Sequence, residues 1–108
     1  MTTTRNVPLE TLSARDRAAL AAILTVGTAE QRREVGGSDC LAYADFGKRL
    51  REEIVGLAIR MDDLSAMDPG EFHQTIARRA SEAIQARHPD LAPVVIQRAG
   101  HLFSFVNR

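Results

Sequence analysis

Residues 43–64, YADFGKRLREEIVGLAIRMDDL, decide the fold that this sequence predicts. Apolar or small residues recur there at alternating steps of four and three: Tyr43, Gly47, Leu50, Ile54, Leu57, Met61 and Leu64. This spacing is typical of a heptad-like seam on one helix, along which a second helix can pack. It predicts one long central helix near 39–65. Leu50, Ile54, Leu57 and Met61 would form its core or dimer seam.

The same helix would carry a second apolar face, made of Leu41, Val55 and Ile59, opposite the seam. A helix that is apolar on two opposed faces must be covered twice. It therefore runs through the middle of its own bundle or meets another subunit. From this we expect a homodimer or a complex with a protein partner, with Val55 and Ile59 in the interface.

Three further helices are predicted from capping signals. Ser13 and Thr28 stand three residues before Asp16 and Gln31, which is capping-box spacing. The first helix would bury Leu20, Ile23 and Leu24 and end at Gly27, and the second would stop at Gly36-Gly37. Ser38 or Asp39 would cap the long helix. The clearest signal is Asp68-Pro69-Gly70-Glu71, which predicts a helix that stops before Pro89.

The C-terminal residues differ in composition from the rest of the chain. Residues 94–98 and 101–106, VVIQR and HLFSFV, are rich in β-branched and aromatic side chains and are separated by Ala99-Gly100. They predict a β-hairpin anchored by Phe103 and Phe105. The alternative is a short helix from Asp90 to Ala99 followed by an extended tail. The predicted fold class is mainly α (α+β), with about four helices and the hairpin.

Composition predicts one small folded domain. The chain has 108 residues, of which 44% are hydrophobic, enough for a core over 9–108. Residues 1–8 are polar and predict a flexible N-terminal arm. Fourteen basic residues balance fourteen acidic ones, which disfavours nonspecific binding to nucleic acid or to a membrane surface. Nearly all basic residues are arginine, and alanine is abundant, which we interpret as the codon bias of a GC-rich, bacterial genome.

Cysteine usage and the N-terminal sequence predict a cytoplasmic location. A single cysteine cannot form an internal disulfide, which makes a reducing compartment the default. The first residues lack the apolar run of a signal peptide, and no stretch reaches the ~20 apolar residues that a bilayer span needs.

The histidines do not have the spacing of a metal site. His73 and His88 lie fifteen residues apart, too far to share an ion along one helix. No pairing of His, Cys or Glu at the usual ligand intervals occurs. We expect no metal, no cofactor and no catalytic residue.

Two alternatives give the chain a chemical site. The first is a small DNA-binding regulator, because the predicted helices around Gly27 imitate a helix-turn-helix outline that carries Arg15, Arg17, Arg32 and Arg33. The second is a thiol-dependent enzyme centred on Cys40, since the first turn of a helix lowers the pKa of a thiol. No histidine lies nearby in sequence to act as its base.

The leading interpretation is a small non-catalytic protein-interaction module. It would be a dimeric regulator, adaptor or inhibitor that acts through the apolar helix seam and the hairpin edge. Binding a second chain would pair the open strand edges and cover the long apolar face.

Overall fold

The computed structural model describes residues 11–25 and 27–107, which fold into five α-helices. They are α1 (Ala14–Leu24), α2 (Ala29–Gly36), α3 (Ala44–Val55), α4 (Pro69–Arg87) and α5 (Pro93–Val106). Two 3₁₀ segments, Ser38–Tyr43 and Asp62–Leu64, precede α3 and α4. No strand occurs within these ranges. The predicted arm at 1–8 lies outside the described residues.

Three of the four predicted helix starts are confirmed, at Ser13, Thr28 and Asp68. The Ser13 hydroxyl accepts a hydrogen bond from the Asp16 N–H, and the Asp68 carboxylate accepts one from the Glu71 N–H at 3.0 Å. Thr28 and Gln31 form a reciprocal capping box. Each cap satisfies a backbone donor that the first turn of a helix leaves without a partner.

The prediction of one continuous helix near 39–65 is wrong. Helix α3 ends at Val55, and Gly56 is its C-cap. The Leu57 N–H donates to the Ile54 carbonyl, three residues back, and residues 57–61 then follow an irregular path. At the other end, Ser38 and Asp39 make no side-chain cap, and 38–43 is a 3₁₀ segment. Leu57 and Leu64 are nevertheless buried, because the irregular segment returns over the core.

The predicted β-hairpin is also wrong, because residues 93–106 form the helix α5. Pro93 occupies its first turn, where a missing N–H is harmless. The apolar residues of this segment form one helical face, and the buried ones are Val95, Ile96, Ala99, Leu102 and Phe103. The alternative of a short helix over 90–99 with an extended tail is wrong too, since α5 continues to Val106.

The central helix of the fold is α1. Its six consecutive residues Ala18 to Ile23 are all buried, whereas Leu24, predicted to be buried, is 52% exposed. Four of these six residues are alanines, whose small side chains allow neighbouring helices to approach closely. A Cβ at Gly47 of α3 would lie 2.7 Å from the Ala18 carbonyl oxygen. The α1–α3 contact therefore requires glycine at this position.

Helices α4 and α5 form an antiparallel pair with a second close contact. Gly100 faces the Ala77 carbonyl, and the Ser81 hydroxyl donates to the Ile96 carbonyl at 3.0 Å. Buried Asp16 joins this pair to α1, because its carboxylate accepts a hydrogen bond from the Ala92 N–H at 3.3 Å.

Arginine side chains hold the irregular segments in place. Both terminal nitrogens of Arg79 bind the Asp63 carboxylate, at 2.8 and 2.9 Å, and one also donates to the Arg60 carbonyl. Arg51 donates to the Ala22 and Ile23 carbonyls and so satisfies the end of α1. The Arg79–Asp63 pair fastens residues 60–63 to α4.

Replacing Gly100 tests the α4–α5 contact. A methyl group at Gly100→Ala would overlap the Ala77 carbonyl, which is backbone and cannot rotate away. We expect the free energy of unfolding to fall by about 2 kcal/mol, despite the better helix propensity of alanine. Urea unfolding measures it. Gly70→Ala is the control, because its methyl group would meet its nearest atom at 3.4 Å. Equal stability of the two variants would contradict the close contact.

The Asp63–Arg79 pair predicts a dependence of stability on pH. The hydrogen bond from Arg79 lowers the pKa of Asp63 from 3.8 to about 2. A carboxyl whose pKa is lower in the folded state stabilises the fold above its unfolded pKa, and the contribution disappears as pH falls from 3.8 to about 2. We expect Asp63→Asn to lower the melting temperature at neutral pH and to reduce its fall across that window. Thermal unfolding followed by circular dichroism measures both.

The control for this prediction is Asp62→Asn, because the Asp62 carboxylate is 76% exposed and pairs with the exposed Arg60. We expect it to change the melting temperature less than Asp63→Asn does. Identical pH profiles for wild type and Asp63→Asn would show that the pair does not stabilise the fold.

Candidate functional site

Most residues of the predicted interface belong to the core of the single chain. Leu50, Ile54 and Phe103 are at most 1% exposed, and Leu57 is buried with them. Ile59 and Met61 are partly buried against the same core. A dimer formed through this seam would have to open the subunit. The homodimer itself stays a prediction, because only one chain is described.

Two predicted interface residues do lie at the surface. Val55 is 45% exposed at the end of α3, and Phe105 is 63% exposed near the end of α5. Phe105 also lines a surface groove between α4 and α5.

Three of the four arginines of the DNA-binding alternative have partners within the chain. Arg17 binds Asp39 through both terminal nitrogens, at 2.5 and 2.7 Å, and also donates to the Gly36 carbonyl. Arg15 pairs with Asp90, and Arg32 donates to the Gly27 carbonyl at 2.6 Å. The hydrogen bond from Arg17 lowers the pKa of Asp39. These guanidinium groups support helix ends and loops, and of the four arginines only Arg33 is classed as exposed rather than partly buried.

Cys40 is 3% exposed and packs beneath Gly36. Its Sγ lies 3.8 Å from the Arg32 carbonyl oxygen. It sits in the 3₁₀ segment Ser38–Tyr43 rather than in the first turn of a long helix, so the predicted basis for a reactive thiolate is absent. Its surroundings are those of a packed thiol.

His88 joins α3 to the end of α4. Its Nε2 lies 2.9 Å from a Glu53 carboxylate oxygen, and its ring meets the Phe46 ring edge-on at 6.1 Å. Burial would raise the pKa of Glu53, but hydrogen bonds from His88 and Arg87 outweigh it and lower that pKa. No group of three or more His, Cys, Asp or Glu side chains that could hold a metal occurs in residues 11–25 and 27–107.

The candidate site is an open groove of about 620 Å³ between α4 and α5, which we call the α4–α5 groove. Helix α4 contributes His73, Gln74, Ala77, Arg78 and Ser81, and α5 contributes Gln97, His101, Ser104 and Phe105. The antiparallel pairing that places Gly100 against Ala77 brings these two faces together. The groove lies on the outer side of the pair, away from the buried faces of both helices.

Polar side chains of the α4–α5 groove are largely unused by the fold. Within the described residues, Ser81 alone of them makes a hydrogen bond to another part of the chain. Arg78 forms no ion pair there, unlike Arg79 beside it. His73 Nδ1 is buried and has no hydrogen-bond partner, the one such side-chain nitrogen or oxygen in the described ranges. Native proteins leave few buried polar atoms in this state, and each asks for an explanation.

The sequence contains a pattern that indicates this groove, but it is visible only when residues 93–106 are treated as a helix and not as the predicted hairpin. With 93–106 treated as a helix, Gln97, His101, Ser104 and Phe105 fall at steps of four, three and one, on a single face. The corresponding α4 residues, from His73 to Ser81, also share one face. That the two faces adjoin depends on how the helices pair.

The burial of Cys40 predicts slow chemistry at the thiol. Alkylation by iodoacetamide at neutral pH is expected to be at least about tenfold slower in the folded protein than in urea, because the reagent reaches Sγ only after local opening. Mass spectrometry of the single-thiol adduct measures both rates. A folded-state rate equal to that in urea would restore the thiol-enzyme alternative.

Neither the sequence nor the fold of this chain points to a known relative. No protein-family model, curated protein or solved structure matches it. No helix among the described residues has the length and apolar character to cross a membrane. Any assignment of function therefore depends on the residues and geometry of this chain itself.

Proposed function

We propose that this protein is a non-catalytic protein-interaction module whose binding surface is the α4–α5 groove. The occupant is a short segment of a partner protein, lying between the two antiparallel helices. The proposal keeps the class of function expected from the sequence and moves its surface from the apolar seam to α4 and α5.

The observation that carries the proposal is the unused hydrogen-bonding capacity of the groove. His73, Arg78, Gln97 and His101 line a volume of about 620 Å³ without hydrogen bonds to the rest of the described chain. Elsewhere the chain uses long polar side chains such as Arg17, Arg51 and Arg79 to satisfy backbone carbonyls. Free donors and acceptors in a concave surface are suited to bind the backbone and side chains of another molecule.

The apolar residues of the groove supply the other half of a binding surface. Phe105 is 63% exposed and lines the groove next to Ser104, across from the α4 face. Exposed aromatic residues in a depression are frequent anchors of protein interfaces. An apolar side chain of the occupant would cover the Phe105 ring and leave the polar residues to fix its position.

The residues of the groove support binding better than catalysis. The Ser81 hydroxyl donates to the Ile96 carbonyl, so it is not activated by a base. No hydrogen bond joins a serine to a histidine in the part of the chain that the structure describes. A serine nucleophile needs a neighbouring base to activate its hydroxyl.

Selection of peptides on the full-length protein tests the proposal. A displayed library of random short peptides is selected on the wild type, and the affinities of selected peptides are measured by calorimetry. Ser104→Tyr places a bulky ring in the groove, and we expect it to weaken binding by about tenfold or more through steric exclusion. Gln85→Tyr is the matched control, since Gln85 is exposed on α4 outside the groove lining, and binding should be unchanged.

Amide chemical-shift changes on peptide addition give an independent map of the same surface. Shifts concentrated on 73–81 and 97–105 would agree with the proposal. Peptides that bind wild type and Ser104→Tyr equally, or shifts on another face, would contradict it. So would a selection that enriches no peptide.

A further inference from the structure

We infer that the α4–α5 groove selects an acidic segment, in which a carboxylate binds Arg78 and an apolar side chain packs near Phe105. This inference rests on the proposed function and adds the chemistry of the occupant. It is carried by the distribution of charge in the groove and by the spacing of the groove residues along α4.

The lining of the groove contains one cation, the Arg78 guanidinium, and no carboxylate. The imidazoles of His73 and His101 lie in the same lining. The whole chain has a formal net charge of zero, so this local excess does not follow from composition. A surface of this kind is electrostatically complementary to a negatively charged segment.

Arg78 differs from the arginines that the fold uses. Arg15, Arg17, Arg79 and Arg87 each pair with a carboxylate of the same chain. Arg78 has no ion pair or hydrogen bond to any described residue, although it lies beside Arg79 on the same helix. An arginine fork that is left free can bind a carboxylate in bidentate geometry.

The geometry of the helix pair sets the spacing of the occupant. Helices α4 and α5 are antiparallel, and Gly100 faces Ala77. Phe105 therefore lies near His73, which is one turn closer to the start of α4 than Ala77 is. Arg78 is five residues further along α4 than His73, a rise of about 7.5 Å. The carboxylate and the apolar side chain of the occupant are therefore about 7.5 Å apart, which is about two residues of an extended chain or about five residues of a helix.

His73 can adapt to such an occupant without losing a hydrogen bond of the free protein. No hydrogen bond to a described residue holds its ring, and Nδ1 is buried without a partner. Rotation of the ring about its Cβ–Cγ bond exchanges the position of Nδ1 with that of a carbon atom, at no cost in hydrogen bonds within the described chain. Either nitrogen can then face a backbone or carboxylate group of the occupant.

The peptides selected on the wild-type protein provide the probe. Those that lose affinity for Ser104→Tyr are the groove-bound set, and we expect Asp and Glu to be enriched in them over the unselected library. Arg78→Gln should weaken their binding by about fivefold, since a partly exposed ion pair is lost, and Arg78→Lys should retain part of it. Arg98→Gln is the control, because Arg98 is exposed on α5, forms no ion pair to a described residue and lies outside the lining.

A double-mutant cycle locates the carboxylate contact. Replacing an acidic residue of the peptide by its amide should weaken binding to wild type as much as Arg78→Gln does, and should weaken binding to Arg78→Gln little further. Higher salt should weaken binding to wild type more than binding to Arg78→Gln, because screening acts on the charge pair.

The outcomes separate this inference from the proposed function. Groove-bound peptides that are neutral or basic, or that bind Arg78→Gln as tightly as wild type, overturn the acidic occupant while the groove remains a binding site. Peptides insensitive to Ser104→Tyr overturn both.

Full displacement of the peptide by millimolar acetate or phosphate would show a simple anion site. Sedimentation that finds a dimer dissociated by Arg78→Gln would make a second copy of this chain the occupant. Either result overturns the inference.

Discussion

Burial of α1 on all sides is the constraint on which the rest of the structure depends. Six consecutive residues of this helix are excluded from solvent, and four of them are alanines. Small side chains allow neighbouring helices to approach closely, and Gly47 brings the α3 backbone against the Ala18 carbonyl. Because close-packed interiors tolerate little added volume, the remaining helices pack around α1. The apolar residues of 57–64 complete the core from an irregular segment.

The charged residues divide into those that support the fold and those that remain available. Arg17, Arg51 and Arg79 each donate to backbone carbonyls at helix ends or in loops, where no helical N–H can reach. In this way arginine side chains supply hydrogen-bond donors to backbone carbonyls that lack a partner within a helix. The α4–α5 groove stands apart, since its lining includes Arg78 and a buried His73 nitrogen that serve no such purpose. The proposed binding of an acidic segment would give these groups partners.

Local signals in the sequence predicted local structure well. Ser13, Thr28 and Asp68 cap helices as their spacing indicates, because a cap depends only on residues within one turn. The predictions failed where several structures suit one apolar pattern. Leu57 and Leu64 were rightly expected to be buried. The heptad spacing did not show that the helix ends at Gly56, before it reaches these two residues. Likewise, the β-branched residues of 94–96 became part of a helix because a face that includes Phe103 packs on the core.

By itself the sequence determined the starts of α1, α2 and α4, most of the buried residues and the absence of a net charge. Those properties depend on side-chain chemistry and on neighbours within a few positions. Tertiary structure alone decided that α1 is the central helix, that Arg15 and Arg17 bind within the chain, and that the polar faces of α4 and α5 adjoin. The physical reason is that these features depend on contacts between residues far apart in the chain. The close approach of Gly100 to Ala77, more than twenty positions away, is one of them.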